Sequence, residues 1–288
     1  MILIHDERCL VYGQAGHPEN PERLRRAVAY LSEQPGYAFR TPEPATDEAV
    51  LRVHSERHLE RLRSGRFTSP DNPSYEGIEA YARLSAGAAI QAASVGGFSL
   101  MRPPGHHAAD GQIAGFCYLN SLAIAVRSTE RRTLIVDIDG HHGDGTQAVF
   151  QNDPQAAYVS LHSSPNFPGT GLWSHGNCHN YPLPFDCGEA VYLETLDEAL
   201  DAIDLSDVEQ VAVSAGFDTD ERDPLASLGL AVDSYRKVGG RIAALGLPTF
   251  AVLEGGYDPD RLGPDIHAFC QGLAREPSPD EEASSDEV

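Results

Sequence analysis

Residues 137–147 read DIDGHHGDGTQ and directly follow the apolar run TLIV at 133–136. The pattern predicts a buried β-strand that ends in a dense set of carboxylates and imidazoles. Buried acids are rarely stable without a partner or a metal, and carboxylates beside neutral imidazole are suitable ligands for a divalent cation. A solvated turn is the alternative, because Asp, Gly and His all tolerate turns. The density of ligand-type side chains favours a metal site at the end of this strand.

Short apolar runs of strand length alternate along the chain with longer helical patterns. The predicted strands are a first strand within 1–10 and then 98–101, 133–136, 156–161, 208–215 and 248–253. The predicted helices cover 21–34, 46–64, 75–94, 189–203 and 233–245, with Pro21 at a helix start and Thr46 or Asp47 as an N-cap. Such alternation is typical of an α/β fold with a parallel sheet and helices on both faces.

The length of 288 residues is at the upper end of single-domain size. We assign residues 1–275 to one domain and residues 276–288, EPSPDEEASSDEV, to an acidic tail whose composition predicts disorder. No apolar run approaches the roughly 20 residues that span a bilayer, so no membrane partner is expected. The opening segment has too short an apolar stretch for a secretory signal.

The formal net charge is −22, from 43 acidic and 21 basic residues. This balance argues against nucleic acid as a direct ligand, because phosphate binding needs clustered cations. The negative charge would instead attract cationic substrates. Acidity that only maintains solubility is the alternative. The five cysteines are an odd number without a CxxC pair, which favours a reducing cytoplasm over a disulfide framework.

Polar sequences follow five of the predicted strands at their carboxyl ends. They are RPPGHH after 101, DIDGHHGD after 136, HSSPNF after 161, GFDTD after 215 and EGGY after 253. In open α/β sheets ligands bind at this edge, so the five segments are expected to form one site. Strand-to-helix turns attract Gly, Asp and Pro in any case, but the two tandem His pairs are not explained in this way.

Three residues of these segments are candidate zinc ligands, namely Asp139, His141 and Asp218. Three protein ligands leave a coordination position open for water and substrate, which is the catalytic arrangement. Taken alone, Asp218 would be interpreted as a turn or N-cap residue.

The second tandem pair, His106 and His107, is a candidate for acid–base chemistry, because the pKa of imidazole lies near neutral pH. Asp137 and Asp144 are the candidate partners that would fix the tautomers. Tyr257, after two glycines, lies where a phenol could donate a hydrogen bond to a developing oxyanion. A core histidine bound to a backbone carbonyl is the alternative for either imidazole.

The chain resembles the zinc-dependent deacetylases of the histone deacetylase and acetylpolyamine amidohydrolase superfamily. The resemblance rests on motifs in the family's order along nearly the whole chain: HPENPERLR (17–25), RPPGHHA (102–108), GFCYLN (115–120), VDIDGHHGDGTQ (136–147), SLH (160–162), FPGTG (167–171), SAGFD (214–218) and EGGY (254–257). It implies a single α/β domain with a central eight-stranded, mostly parallel sheet flanked by helices, as in arginase. EGGY is typical of the class II and bacterial members.

The resemblance also implies roles for individual residues. The zinc ligands would be Asp139, His141 and Asp218. The catalytic groups would be His106, hydrogen-bonded to Asp137, and His107, hydrogen-bonded to Asp144. Tyr257 would polarise the amide carbonyl. The substrate would contact Gly115 and the aromatic tunnel walls Phe116 and Phe167. Asp71 would bind the backbone amides of the substrate, and Leu225 would lie at the rim of the tunnel. Arg23 would lie beside the acetate-release channel. Ser121 departs from the family pattern, since many relatives have Asn or Asp there.

Potassium is a further cofactor that the resemblance implies, with a structural role. One ion would be held by Asp137, Ser160 and the backbone carbonyls of Asp139, His141 and Leu161. A second would be held by carbonyls near Phe150.

These inferences predict a zinc-dependent amidohydrolase that removes acetyl groups from acetylated lysine in proteins or peptides and releases acetate. One alternative is the same chemistry on acetylated polyamines or another small amide, and a second is a non-catalytic binding protein that retains the pocket. Leu225 argues against polyamines, because family members that prefer them can place a glutamate there, whereas Glu221 and the net charge of −22 argue for them. An arginase-type ureohydrolase is disfavoured, since two manganese ions would need more Asp ligands. The oligomeric state is not predicted.

Overall fold

Eight β-strands form one sheet in a computed structural model that describes residues 1–274. The strands are β1 (Ile2–Ile4), β2 (Ala38–Arg40), β3 (Phe98–Ser99), β4 (Thr133–Asp137), β5 (Ala156–Ser163), β6 (Cys178–Leu183), β7 (Gln210–Ala215) and β8 (Thr249–Leu253). Their order is β2-β1-β3-β8-β7-β4-β5-β6, and each pairing is parallel. The predicted α/β fold is confirmed, with a sheet that is wholly parallel over the described residues. The acidic tail predicted at 276–288 lies outside them.

The central strands are buried along their whole length, because they are rich in apolar residues that pack on both faces. Every residue of β4 and of β7 is buried. Asp137 at the end of β4 lies opposite Ser214 of β7 and Ser160 of β5. Because these strands are parallel and in register, the segments that follow them leave the sheet at the same edge.

Helices flank the sheet in two groups. After a 3₁₀ helix (Glu7–Leu10), the chain forms α1 (Pro21–Ser32), α2 (Asp47–Val50), α3 (Glu56–Ser64), α4 (Ile78–Val95), α5 (Ser121–Thr129), α6 (Asp144–Phe150), α7 (Gly188–Asp201), α8 (Val232–Ala243) and α9 (Leu262–Leu273). Helices α1, α7, α8 and α9 pack in one group, and α2 to α6 pack in the other. The sequence did not predict α5, α6, α9, β2 or β6.

Two helix starts follow their local signals. Asn20 caps α1 through its side-chain oxygen, and Pro21 occupies the first helical position. Thr46 caps α2, so Thr46 rather than Asp47 is the N-cap.

The predicted single helix over 46–64 is wrong. Its first part ends at Val50, and a second helix begins after Ser55, whose side chain caps it. His54 lies in the break, and its Nε2 accepts a hydrogen bond from the Asn120 N–H at 2.9 Å. This long-range contact, together with the capping serine, divides a pattern that is continuous in the sequence.

Within residues 1–274, no helix is both long and apolar enough to cross a bilayer. The five cysteines, all in this part of the chain, are unpaired. Cytoplasmic localisation stays a prediction.

Candidate active site

Asp139, His141 and Asp218 meet at the carboxyl edge of β4 and β7. His141 Nδ1 lies 2.8 Å from Asp218 Oδ2 and 3.1 Å from Asp139 Oδ1. All three residues are buried, and one potential ligand atom from each lies within 4.8 Å of the others. The structure therefore contains a candidate metal-binding group, formed by the three residues that the sequence singles out.

The charges within this group favour an added cation. Burial opposes the protonated form of His141, but the carboxylates of Asp218 and Asp139 outweigh it and raise its pKa to about 10. The group thus takes up positive charge from a proton, as it could from a metal ion. Two carboxylate oxygens and one imidazole nitrogen are a donor set that fits zinc.

Two glycines let these carboxylates approach the backbone. A Cβ at Gly216 would lie 2.1 Å from Asp139 Oδ2, and one at Gly255 would lie 2.4 Å from Asp218 Oδ2. The Gly255 N–H also donates to Asp139 Oδ2 at 2.7 Å. A side chain at either position would displace a carboxylate, which gives the SAGFD and EGGY motifs a steric basis.

The tandem histidines lie beside this group, each with its own carboxylate. His106 Nδ1 donates to Asp137 Oδ2 at 3.1 Å, and His107 Nδ1 donates to Asp144 Oδ1 at 2.8 Å. The two ring centroids are 4.0 Å apart, and His106 Nε2 lies 3.7 Å from Asp139 Oδ1. The structure thus brings together the four residues that sequence reasoning paired.

Both partner carboxylates are held by residues that the sequence did not reveal. Tyr158 Oη donates to Asp137 Oδ2 at 2.9 Å, and Gln112 Nε2 donates to Asp144 Oδ2 at 2.7 Å. A tyrosine within a strand and a glutamine in a loop carry no distinctive signal, so only the fold could find them. Asn166, which lines the pocket described below, was missed for the same reason.

His107 is held in its neutral form. Burial and then the neighbouring His106 lower its pKa to about 4, although Asp144 acts in the opposite direction. With Nδ1 donating to Asp144, the neutral ring has its acceptor at Nε2. This is the protonation state that a general base needs near neutral pH.

Tyr257 reaches the site from the turn after β8. Its ring lies edge-on to Phe116, with centroids 5.7 Å apart, and the Arg23 guanidinium lies 4.7 Å from its centroid. The Tyr257 N–H donates to Asp223 Oδ2 at 2.6 Å, which fixes the turn. Burial raises the pKa of the phenol well above its usual value, with Arg23 acting in the opposite direction. Tyr257 is therefore a neutral O–H donor.

A pocket of about 270 Å³ opens onto His107, His141 and Tyr257. It is lined by Asp71, His107, Gly115, Phe116, His141, Asn166, Phe167, Leu225 and Tyr257. The residues that sequence reasoning assigned to substrate binding all lie in this lining. Aromatic rings form two of its walls, and polar groups that could act on an amide share the same space.

Two loops shape the aromatic walls. Gly115 has a φ of 55°, and a Cβ there would lie 2.1 Å from the His107 ring, so a larger residue would displace that ring. The next residue, Phe116, is also left-handed, with a φ of 66°. The loop over 164–177 carries Phe167, whose ring centroid is 5.0 Å from that of His107, and it leaves Trp173 83% exposed.

Asp71 and Leu225 are both fixed by hydrogen bonds at the pocket wall. Asp71 Oδ2 accepts from the Gly115 N–H at 2.7 Å, and its Oδ1 accepts from Ser69 Oγ at 2.6 Å. The Leu225 N–H donates to Asp223 Oδ1 at 2.9 Å. Asp71 is thus part of an ordered wall rather than a freely solvated loop acid.

Arg23 is fully buried beneath Tyr257. Its Nε donates to the Gly256 carbonyl at 2.6 Å, and its Nη2 donates to the Glu254 carbonyl at 2.7 Å. Its Nη1 pairs with Glu19 Oε1 at 3.2 Å. Arg23 therefore ties α1 to the turn that carries Tyr257. Its place beside an acetate channel stays a prediction.

Three of the residues assigned to potassium lie close together in β4 and β5 of the sheet. Asp137 and Ser160 are register partners, and Leu161 is the next residue of β5. Phe150 is buried at the end of α6. Both potassium sites stay predictions.

Comparisons with known proteins agree with this geometry. Residues 17–273 match the histone deacetylase domain. The chain is 37% identical to a probable deacetylase of Methanothermobacter thermautotrophicus over 95% of this chain and 90% of that protein. It is 33% identical to a histone deacetylase-like amidohydrolase of Pseudomonas aeruginosa, over 84% and 73% of the two chains. The crystal structure of an acetylpolyamine aminohydrolase from Burkholderia pseudomallei has a TM-score of 0.83 at 27% identity, over 95% and 98%. The chain therefore belongs to the histone deacetylase family of amidohydrolases.

Proposed function

We propose that the protein is a zinc-dependent deacetylase that hydrolyses acetyl-lysine side chains and releases acetate. The observation that carries the proposal is the pocket, whose aromatic walls converge on His107, His141 and Tyr257. An acetyl-lysine side chain is a run of methylene groups that ends in an amide. Apolar walls around polar groups suit such a substrate.

Zinc is the cation that we assign to Asp139, His141 and Asp218. Three N and O ligands leave a coordination position open, as catalytic zinc requires. When bound, zinc would polarise the amide carbonyl and lower the pKa of water. The chain supplies the remaining chemistry through side chains that lie around the same pocket.

His107 would move the proton. In its neutral form it accepts a proton at Nε2 from the attacking water, while Asp144 stabilises the imidazolium that forms. The imidazolium then donates the proton to the lysine nitrogen as the C–N bond breaks. His106 packs against His107 and is itself held by Asp137, so the pair keeps a fixed orientation.

Tyr257 would stabilise the oxygen of the scissile carbonyl. Its phenol stays protonated because burial raises its pKa, so it donates a hydrogen bond as negative charge develops on that oxygen. The hydrogen bond from its N–H to Asp223 fixes the turn from which it projects.

The rim of the pocket favours acetyl-lysine peptides over acetylpolyamines. Leu225 lines the pocket and offers only apolar contact to a distal ammonium group. Glu221 is exposed, and one oxygen lies 3.5 Å from Arg261 Nη2, so part of its charge is offset. Asp71 lies at the wall, where its carboxylate can accept backbone N–H groups of a peptide.

The test is a comparison of kcat/KM for acetyl-lysine peptides, acetylspermidine and acetylputrescine with zinc-loaded enzyme. We expect the peptides to have the higher values. A preference for acetylpolyamines of more than about tenfold would favour an acetylpolyamine deacetylase, the alternative that the net charge of −22 supports. No hydrolysis of any of these amides would point to a binding protein instead.

A further inference from the structure

We infer that Glu254 is a positioning residue, whose carboxylate holds the tandem histidines in place against the other catalytic groups. The inference rests on the proposed deacetylase function for its kinetic part only. Glu254 is fully buried at the end of β8, three residues before Tyr257. An acid in that position is costly to bury and needs a structural reason.

One oxygen of the Glu254 carboxylate binds the loop that carries the histidines, and the other binds β7. Its Oε2 accepts from the Gly105 N–H at 2.6 Å and from the His106 N–H at 3.1 Å. Its Oε1 accepts from Ser214 Oγ at 3.1 Å. Hydrogen bonds from backbone N–H groups to a carboxylate are stronger than those between neutral groups.

The loop depends on these bonds because it lies beyond the end of β3. Gly105 and His106 are both buried, so their N–H groups would be unsatisfied without an acceptor. The His106 carbonyl is held from the other side by the Thr146 N–H at 2.9 Å. Glu254 and Thr146 together clamp the backbone of His106.

Glu254 also connects this loop to the rest of the site through its own backbone. Its N–H donates to the Ala215 carbonyl at 3.0 Å, at the end of the strand that precedes Asp218. Its carbonyl accepts from Arg23 Nη2 at 2.7 Å. One residue therefore links the histidine loop, the metal-ligand segment and the base of Tyr257.

Glu254→Gln and Glu254→Met separate the hydrogen bonds from the charge. The glutamine oxygen can accept both N–H groups while its NH₂ donates to Ser214, so we expect kcat within about fivefold of wild type. Methionine has a similar length without these acceptors, so we expect kcat to fall by about 10²-fold, the usual consequence of a misplaced catalytic group. KM should change little, and zinc content should stay at the wild-type level.

Ser214→Ala is the matched control, at an equally buried residue that binds the same carboxylate. It removes one of three donors and leaves both loop contacts, so kcat should stay within about threefold of wild type. The inference is wrong if Glu254→Met keeps wild-type turnover. It is also wrong if that variant folds but loses zinc, because Glu254 would then support the metal site rather than the histidines.

The NMR resonances of the backbone amides give a readout that is independent of activity. This readout uses the glutamine variant, so it remains available if the methionine variant does not fold. In Glu254→Gln the Gly105 and His106 amide protons should shift upfield, because a neutral oxygen is a weaker acceptor than a carboxylate. Unchanged resonances would overturn the inference. If the wild-type enzyme hydrolyses no acetylated amine, the proposed function fails while this measurement still tests Glu254.

Discussion

Two regions of the molecule bury carboxylates equally well but partner them differently. At the catalytic edge, Asp137, Asp139, Asp218 and Glu254 are each at most 1% exposed, and each accepts hydrogen bonds. In the first turn of α9, Asp265 is also 1% exposed, yet neither of its oxygens has a hydrogen-bond partner within residues 1–274.

The pKa of Asp265 reflects its burial. Burial raises it to about 8, helped by Asp220 and only partly opposed by Arg261. Burial alone therefore does not mark a functional acid. The arrangement of donors around a carboxylate decides whether it can bind a metal or orient a histidine, and substitutions in the two regions should therefore differ in their effect on turnover.

The largest loss of turnover is expected for His141→Ala or Asp218→Ala. Wild-type protein should hold about one zinc per chain, and either variant should lose both zinc and activity, because two ligands do not retain a catalytic zinc. Elemental analysis measures the first quantity and amide hydrolysis the second. Asp265→Asn is the control, since it alters an equally buried acid without removing a ligand. Full activity in a metal-free preparation would exclude the proposed mechanism.

Tyr257→Phe should lower kcat by about 10²–10³, the usual loss for one oxyanion donor. Zinc content and thermal stability should remain those of the wild type, because the Tyr257 backbone bond to Asp223 is retained. Steady-state kinetics with an acetyl-lysine peptide measures the loss. Turnover close to wild type would reassign Tyr257 to packing against Arg23 and Phe116.

Leu225→Glu adds a carboxylate to the pocket wall without placing donors around it. We expect the ratio of kcat/KM for acetylspermidine to that for an acetyl-lysine peptide to rise by about tenfold, or roughly 1.4 kcal/mol. The same assay on Leu225→Gln separates charge from size. An equal change in both variants would show that charge does not select the substrate.

Asp265→Asn should leave turnover unchanged but alter the pH dependence of stability. The folded-state pKa of Asp265 is about 8 against an ordinary value of 3.8, so the folded protein retains a proton that the unfolded chain releases. The free energy of unfolding of the wild type should therefore fall between about pH 4 and pH 8, by up to about 1.4 kcal/mol per pH unit, and level off above that range.

Urea unfolding of both proteins between pH 5 and pH 9 measures this effect. The Asn variant should lack the contribution of Asp265 to the slope and gain on the wild type as the pH rises. Parallel stability curves for the two proteins would show that Asp265 has partners that keep its pKa near the ordinary value.

The central strands and the candidate ligands were predictable because their signals are local. Apolar runs such as TLIV predict buried strands, and the polar segments after them must share an edge in a parallel sheet. β2 has three residues, all exposed, so no apolar pattern marks it. β6 contains Pro182, which demotes a predicted strand but is tolerated at the sheet edge where β6 lies.

The supporting residues were not predictable for a physical reason. A glutamate before two glycines is typical of a solvated turn, but Glu254 is buried and binds the loop at Gly105, 149 residues away in sequence. Tyr158 and Gln112 likewise acquire their partners through the fold. Sequence patterns indicate which groups can react, whereas long-range contacts determine what orients them.

Trp173 gives this molecule an intrinsic fluorophore at an informative position. It is the only tryptophan in the chain, and it projects into solvent from the loop that carries Phe167 into the pocket wall. Emission excited selectively from indole therefore reports on that loop alone, with the long wavelength of a ring in water. A ligand that buries the indole ring of Trp173 will shift its emission to shorter wavelength, so the binding of such a ligand can be titrated without a label and without turnover.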